Sequence, residues 1–518
     1  MKWIALLPTA ALLGCATPTP EGVDLLIRGG TIYSGSDAPF VGDVAVSGDR
    51  IKAVGKRLDF KAARVVDARG LVVAPGFIDP HAHLGAQLAD DDAQTRLIPG
   101  FLMQGVTTAF IGNDGGGEPD VGAVLGRAAT KPVGINYGAF VGFGPVRKAV
   151  IGEADRAPTA EELTQMRQMV ATAMCQGALG FSTGLFYAPQ SFAAQDEVVA
   201  LAREAGARGG VYDSHVRDES SYSIGLAAAV GEAITVGREA GMPVNISHIK
   251  ALGVDVHGQA PAIIAQVEAA QKAGQKVTAD QYPWSASGTS LAAALVPRWA
   301  HDGGRSALLK RFDDAGVAER LRKDMEDNLR RRGGAESLLI TQGKYRTKRL
   351  SEVAREMKLD PVSAAIAVLR VSDASVASFN QTEEDIAAFM RRPWVMTGSD
   401  ASGGHPRAYG SYARKYAEYV KAKGVLDLRT FIERSTALPA DTFKIAGRGR
   451  LRPGAFADIV VFDPETFAAR ATYDEPTLLA TGVRAVFVNG VAAVDNGALT
   501  GAAAGRGLKQ VPPAGSCQ

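Results

Sequence analysis

Cysteine is nearly absent, with three in 518 residues: Cys15, Cys175 and Cys517. So few, so scattered, exclude a disulfide-stapled scaffold and a cysteine-based zinc cluster. Cys175 sits in an apolar helical context and reads as core, and Cys517 as a free thiol near an exposed end. An excess of charge of one sign is also missing. The 57 Lys+Arg against 55 Asp+Glu leave a net charge of +2, and with no basic face to hold phosphates, nucleic acid is excluded as a partner. No stretch reaches the ~18 uninterrupted apolar residues a membrane span needs. What is present, 46% hydrophobic and 22% charged residues, is the balance of a folded chain with a large core and more than one domain.

Cys15 has its own context. Lys2 is followed by a short apolar run ending in Leu12-Leu13-Gly14-Cys15, the arrangement of a bacterial secretion signal with a lipobox. Residues 1–20 are therefore expected to be a lipoprotein signal peptide and tether, with Cys15 lipidated and the Ala16-Thr17-Pro18-Thr19-Pro20 segment stiff. That places the chain in the bacterial cell envelope, on the periplasmic side and lipid-anchored. The alternative is a secreted protein with Cys15 in a discarded peptide.

Short strands and turns fill 21–74, and the texture returns over 441–500, where Val483-Arg484-Ala485-Val486-Phe487-Val488 runs into the turn Asn489-Gly490. The two ends are expected to share one small sheet domain. Between them, 75–440 alternates helix and strand. A helix over 195–205 ends at glycines beginning with Gly206; helices over 225–241 and 261–274 follow, each leading into a strand. This alternation implies a parallel α/β sheet, doubly wound or closed into a barrel, with chemistry at the carboxyl ends of the strands. Residues 305–349, dense in charge and containing Arg330-Arg331-Arg332, read as a peripheral helical insertion at about 300–350 with a solvated face. The Ala, Gly and Pro-rich 501–518 reads as a flexible tail.

Of seven histidines, four close predicted strands. His81 and His83, in Pro75-Gly76-Phe77-Ile78-Asp79-Pro80-His81-Ala82-His83, are two apart on a strand and point to one side, where imidazoles can hold a cation such as zinc. His215 and His248 each end a strand that follows a helix. Singly they read as core or loop histidines; together they can hold a second cation. Val395-Met396-Thr397-Gly398-Ser399-Asp400 ends another strand in a carboxylate able to ligate metal and take a proton from water, or to cap a turn.

These residues resemble the amidohydrolase superfamily, and within it the N-acyl-D-amino-acid deacylase (D-aminoacylase) family. The resemblance also rests on Gly112-Asn113, on Phe181-Ser182-Thr183-Gly184-Leu185, on His405-Pro406-Arg407 and on Leu451-Arg452-Pro453-Gly454-Ala455. It implies a (β/α)8 TIM-like barrel with a small β-sandwich domain from both chain ends, and one or two zinc ions, other divalent metals being usable. The implied reaction is cleavage of the amide of N-acyl-D-amino acids or small D-residue peptides by metal-activated water, with Asp400 passing the proton to the leaving amine. His81, His83 and Asp400 match one metal site and His215 and His248 the other. Lys250, Tyr282 and Arg407 match positions that grip the carboxylate of a small-molecule substrate, and Tyr187 assists.

Where the family has a ligating cysteine after Gly-Asn, this chain has Asp114. A carboxylate can bridge two cations and is harder than thiolate; the other reading of Asp114 is the start of a glycine turn. Two further functions stay open at this level: a cyclic-amide hydrolase or unusual dipeptidase on the same scaffold, and a non-catalytic lipid-anchored binding protein.

Overall fold

A computed structural model describes residues 22–517; Cys15 and the expected signal and tether lie outside the described residues. Eight parallel strands form the barrel: Phe77–Asp79, Val106–Ile111, Asn136–Ala139 continuing as Val141–Gly142, Gly180–Gly184, Val211–His215, Val244–Ile246, Val277–Gln281 and Val395–Thr397. The third strand is interrupted at Phe140, its first part pairing with the second strand and its second part with the fourth. The ring closes through a parallel bridge between Ala82 and Ala401, with the Asp400 amide donating to the His81 carbonyl at 2.9 Å. The Asp79 carboxylate accepts from the amides of His81 and Ser399, each at 3.1 Å, stitching the first strand to the eighth; burial pushes this carboxyl up to about 7.

The helices follow from local chemistry. Ala160–Cys175 starts at a capping box in which Thr159 and Glu162 satisfy each other's backbone amides. Leu226–Ala240 stops at Gly241, which takes φ 66°. Gln195–Ala207, by contrast, runs through Gly206. A Cβ there would lie 2.3 Å from the Ala240 carbonyl oxygen, so this glycine lets two helices approach instead of ending one.

Strands from both chain ends form one nine-stranded sheet, joined where Val72–Pro75 pairs antiparallel with Ile459–Phe462. Its core includes Leu25, Ile27, Val44, Ile459 and Phe487. The Asn489-Gly490 turn holds both residues at positive φ, 50° and 81°, as a tight hairpin requires.

The structure corrects four expectations, on the tail, Cys175, Cys517 and the insertion. The tail is packed: Gly505 donates to the Val133 carbonyl, Leu508 to Tyr137 and Gln510 to Gly177, and Cys517 is disulfide-bonded to Cys175. Cys175 is exposed, not core, and Cys517 is not a free thiol. The small residues of the tail reflect close approach, since a Cβ on Gly507 would meet the Leu125 carbonyl oxygen at 2.1 Å. The insertion is also larger than its charged stretch. It begins and ends in paired strands, Ala286–Ser290 and Ser375–Phe379, with Leu338–Ile340 on the other side of the latter, and it has its own core around Leu295, Leu321, Met325 and Leu369. Its first strand reads Ala-Ser-Gly-Thr-Ser, too polar to announce itself.

Candidate metal centre and active site

Every predicted metal-capable residue converges on the carboxyl end of the barrel. Ligand atoms of His81, His83, Asp114 and Asp400 lie within 4.8 Å of one another, as do those of Asp114, His215 and His248. Asp114 belongs to both groups. Its Oδ1 is 3.4 Å from His81 Nε2, 3.4 Å from His248 Nε2 and 3.7 Å from His215 Nδ1, and its Oδ2 is 3.3 Å from His83 Nε2. His83 Nε2 is also 3.1 Å from Asp400 Oδ1.

The residues fit metal. Both ring nitrogens of His81 and His215, and Asp114 Oδ1, are buried with no hydrogen-bond partner, which is costly unless a cation takes their lone pairs. Imidazole and carboxylate are a suitable donor set for zinc. Asp114, His248 and Asp400 all have left-handed backbones, with φ of 55°, 35° and 49°. Such conformations in non-glycine residues are held only where the surroundings fix them, and they cluster at functional sites.

Behind the candidate ligands stand two carboxylates that sequence reasoning missed. Glu219 Oε1 is 3.2 Å from His248 Nδ1 and its Oε2 is 3.7 Å from His215 Nε2. Asp280 Oδ1 is 3.6 Å from His81 Nδ1 and accepts from the His248 amide at 3.0 Å. Carboxylates in this position fix the tautomer and orientation of ligating imidazoles. Glu219 is four residues after His215, and Asp280 is the penultimate residue of the seventh strand, two before Tyr282; both lie in segments already marked by chemistry, and that proximity was the available signal.

The expected substrate residues are also present, but engaged. Arg407 Nη1 donates to Asp400 Oδ2 at 2.6 Å and Nη2 to Ser402 at 2.8 Å. Burial alone would raise the Asp400 carboxyl; Arg407 and His83 instead hold it well below the usual carboxylate range. Lys250 Nζ donates to Glu219 at 2.5 Å and lies 2.7 Å from His248 Nδ1. Tyr282 has the Arg407 guanidinium 5.2 Å and the Lys250 ammonium 5.7 Å from its ring centroid. The Tyr187 hydroxyl is 3.4 Å from Thr289 Oγ1 and is held protonated by burial and by Asp114. A cavity of about 370 Å³ opens onto these residues.

The amidohydrolase family pattern matches residues 135–494. The chain belongs to the amidohydrolase family. This amidohydrolase is 34% identical to a D-aminoacylase of Alcaligenes xylosoxydans xylosoxydans over 94% of its length and 97% of that protein's. It is 34% identical to an N-acyl-D-glutamate deacylase of the same organism, over 91% and 94%. Its fold matches the crystal structure of N-acyl-D-glutamate deacylase from Bordetella bronchiseptica, complexed with zinc and a phosphonate mimic of the tetrahedral intermediate. That match has a TM-score of 0.81 at 31% identity and covers 94% of this chain and all of that one.

Proposed function

We propose that this amidohydrolase hydrolyses the amide of N-acyl-D-amino acids, using zinc held by His81, His83, Asp114 and Asp400 and by Asp114, His215 and His248. The observation that carries the reading is the Asp114 carboxylate, shared by two groups of candidate ligands, with its Oδ1 and both ring nitrogens of His81 and His215 buried without a hydrogen-bond partner. Zinc bound there supplies a Lewis acid for the amide carbonyl and acidifies water towards neutral pH. Asp400 accepts the proton of the attacking water and delivers it to the amide nitrogen as the C–N bond breaks. Arg407 fixes the carboxylate for that task through Oδ2, leaving Oδ1 on the histidine side. Tyr187 offers a hydroxyl donor at the cavity wall, and the positive charge around the Tyr282 ring suits a substrate carboxylate. The D-configuration is supported by the relatives, whose names specify D-substrates.

The test is amine release from matched N-acyl-D and N-acyl-L amino acids by the zinc-loaded protein. Turnover of the D-series is expected, with Asp400→Asn slower by ~10²–10⁴-fold. Near wild-type turnover in Asp400→Asn, or preference for the L-series, would sink the reading.

The location follows a separate argument. The Leu-Leu-Gly-Cys sequence ending at Cys15 favours a lipid anchor on the periplasmic side, and the Cys175–Cys517 disulfide suits an oxidising compartment. Incorporation of labelled fatty acid that disappears in Cys15→Ser is expected; a mature N-terminus beyond Cys15 would overturn it.

A further inference from the structure

The insertion supplies part of the active-site cavity lining, including Arg332. This residue caps the C-terminus of helix Ala318–Arg331 and is only 2% exposed. Its Nε donates to the Ala294 carbonyl at 3.1 Å, while Nη1 is buried without a hydrogen-bond partner. The other two Lys or Arg side chains in the lining are paired with carboxylates, Lys250 with Glu219 and Arg407 with Asp400. Arg332 forms no such pair among the described residues.

Its sequence neighbours are satisfied elsewhere. Arg330 pairs with Asp255 at 2.7 and 2.9 Å, and Arg331 donates to Ser221 and Asn328. The guanidiniums of Arg298, Arg331 and Arg332 lie 5.6, 5.8 and 5.7 Å from the Tyr222 ring centroid, and the carboxylates that act on this tyrosine, Asp218 and Glu219, are engaged by the Ser220, Ser223 and Gly225 amides and by Lys250. The Tyr222 hydroxyl is itself buried and unpartnered. A buried guanidinium with a free N–H and no ion-paired carboxylate is unfavourable unless an anion completes it, and its planar fork matches a carboxylate. Phe186 and Leu252, also in the lining, can cover the methylenes that carry such a group.

We infer that Arg332 anchors a second carboxylate of the substrate, beyond the α-carboxylate, carried either by an acidic side chain or by a dicarboxylic acyl group. This rests on the amide-hydrolysis reading above and names the substrate class of the same site.

The test uses zinc-loaded enzyme and two matched pairs: N-acetyl-D-glutamate against N-acetyl-D-glutamine, and N-succinyl-D-leucine against its neutral succinamoyl amide. In wild type the acid of one pair is preferred by about a hundredfold in kcat/KM. Arg332→Met removes that preference while leaving the neutral substrate within about threefold, and Arg332→Lys restores part of it. The glutamate pair responding places the carboxylate on the side chain; the succinyl pair responding places it on the acyl group. Wild type that discriminates in neither pair while hydrolysing the neutral amides overturns the Arg332 assignment alone. Equal loss on acid and amide in Arg332→Met, with a lowered Tm, also overturns it by making Arg332 structural. Turnover of none of the four substrates overturns the amide-hydrolysis reading and this inference with it.

Discussion

The cavity is built from two regions that obey different rules. On the barrel side, the functional groups sit at or just past strand ends: His81 and His83 lie beyond Phe77–Asp79, on either side of Ala82, whose parallel bridge to Ala401 holds both beside Asp400. On the insertion side, Arg332 reaches the same cavity from a helix end, Thr341 from just after the strand Leu338–Ile340 and Ser375 from the start of its antiparallel partner. Nothing in their local sequence sets a common direction; packing around Leu295, Met325 and Leu369 does. The barrel side thus concentrates the reacting groups, and the insertion side is placed to choose what is presented to them.

The barrel side is most sensitive at Asp114, which both groups of candidate ligands share. Asp114→Ala is expected to release metal and to slow turnover by ~10³-fold, read by metal content per chain alongside amine release. Because Asp114 has φ 55°, Asp114→Gly separates backbone strain from ligation, and Asp114→Cys should recover metal. Full metal and full turnover in the alanine and glycine variants would remove Asp114 from the ligand set. On the insertion side, Met325 is fully buried, and Met325→Ala is expected to cost ~2–5 kcal/mol in chemical denaturation. Unchanged metal content in that variant would show the two regions to be energetically separate; a parallel loss of metal would join them. The smallest effect is at Glu219, which backs two candidate ligands: Glu219→Gln should weaken zinc binding by ~10–100-fold in a chelator competition. An unchanged affinity would leave Glu219 as the partner of Lys250 only.

Much of the barrel and its mouth was legible in sequence. Histidines and a carboxylate at strand ends are local facts, and strand geometry converts them into a cluster. Glu219 was harder to see, because its place behind His215 and His248 depends on how the loop after the fifth strand folds back. The tail misled for the opposite reason. Its glycines, read as freedom, are there because Gly505 and Gly507 pass too close to the Ile135 and Leu125 carbonyls for a side chain. The pairing of Cys175 with Cys517, 342 residues apart, has no local signature at all.

Which residues carry chemistry, and that alternating helices and strands bring them to the carboxyl edge of a parallel sheet, could be read from the chain alone, since both periodicity and strand-end position are short-range properties. Which charges are paired emerges with the packed fold. Arg407 is committed to Asp400, Lys250 to Glu219, and Arg332, among the described residues, to no carboxylate. The reason is physical: an ion pair depends on distances between side chains far apart in the chain, and only packing sets those distances.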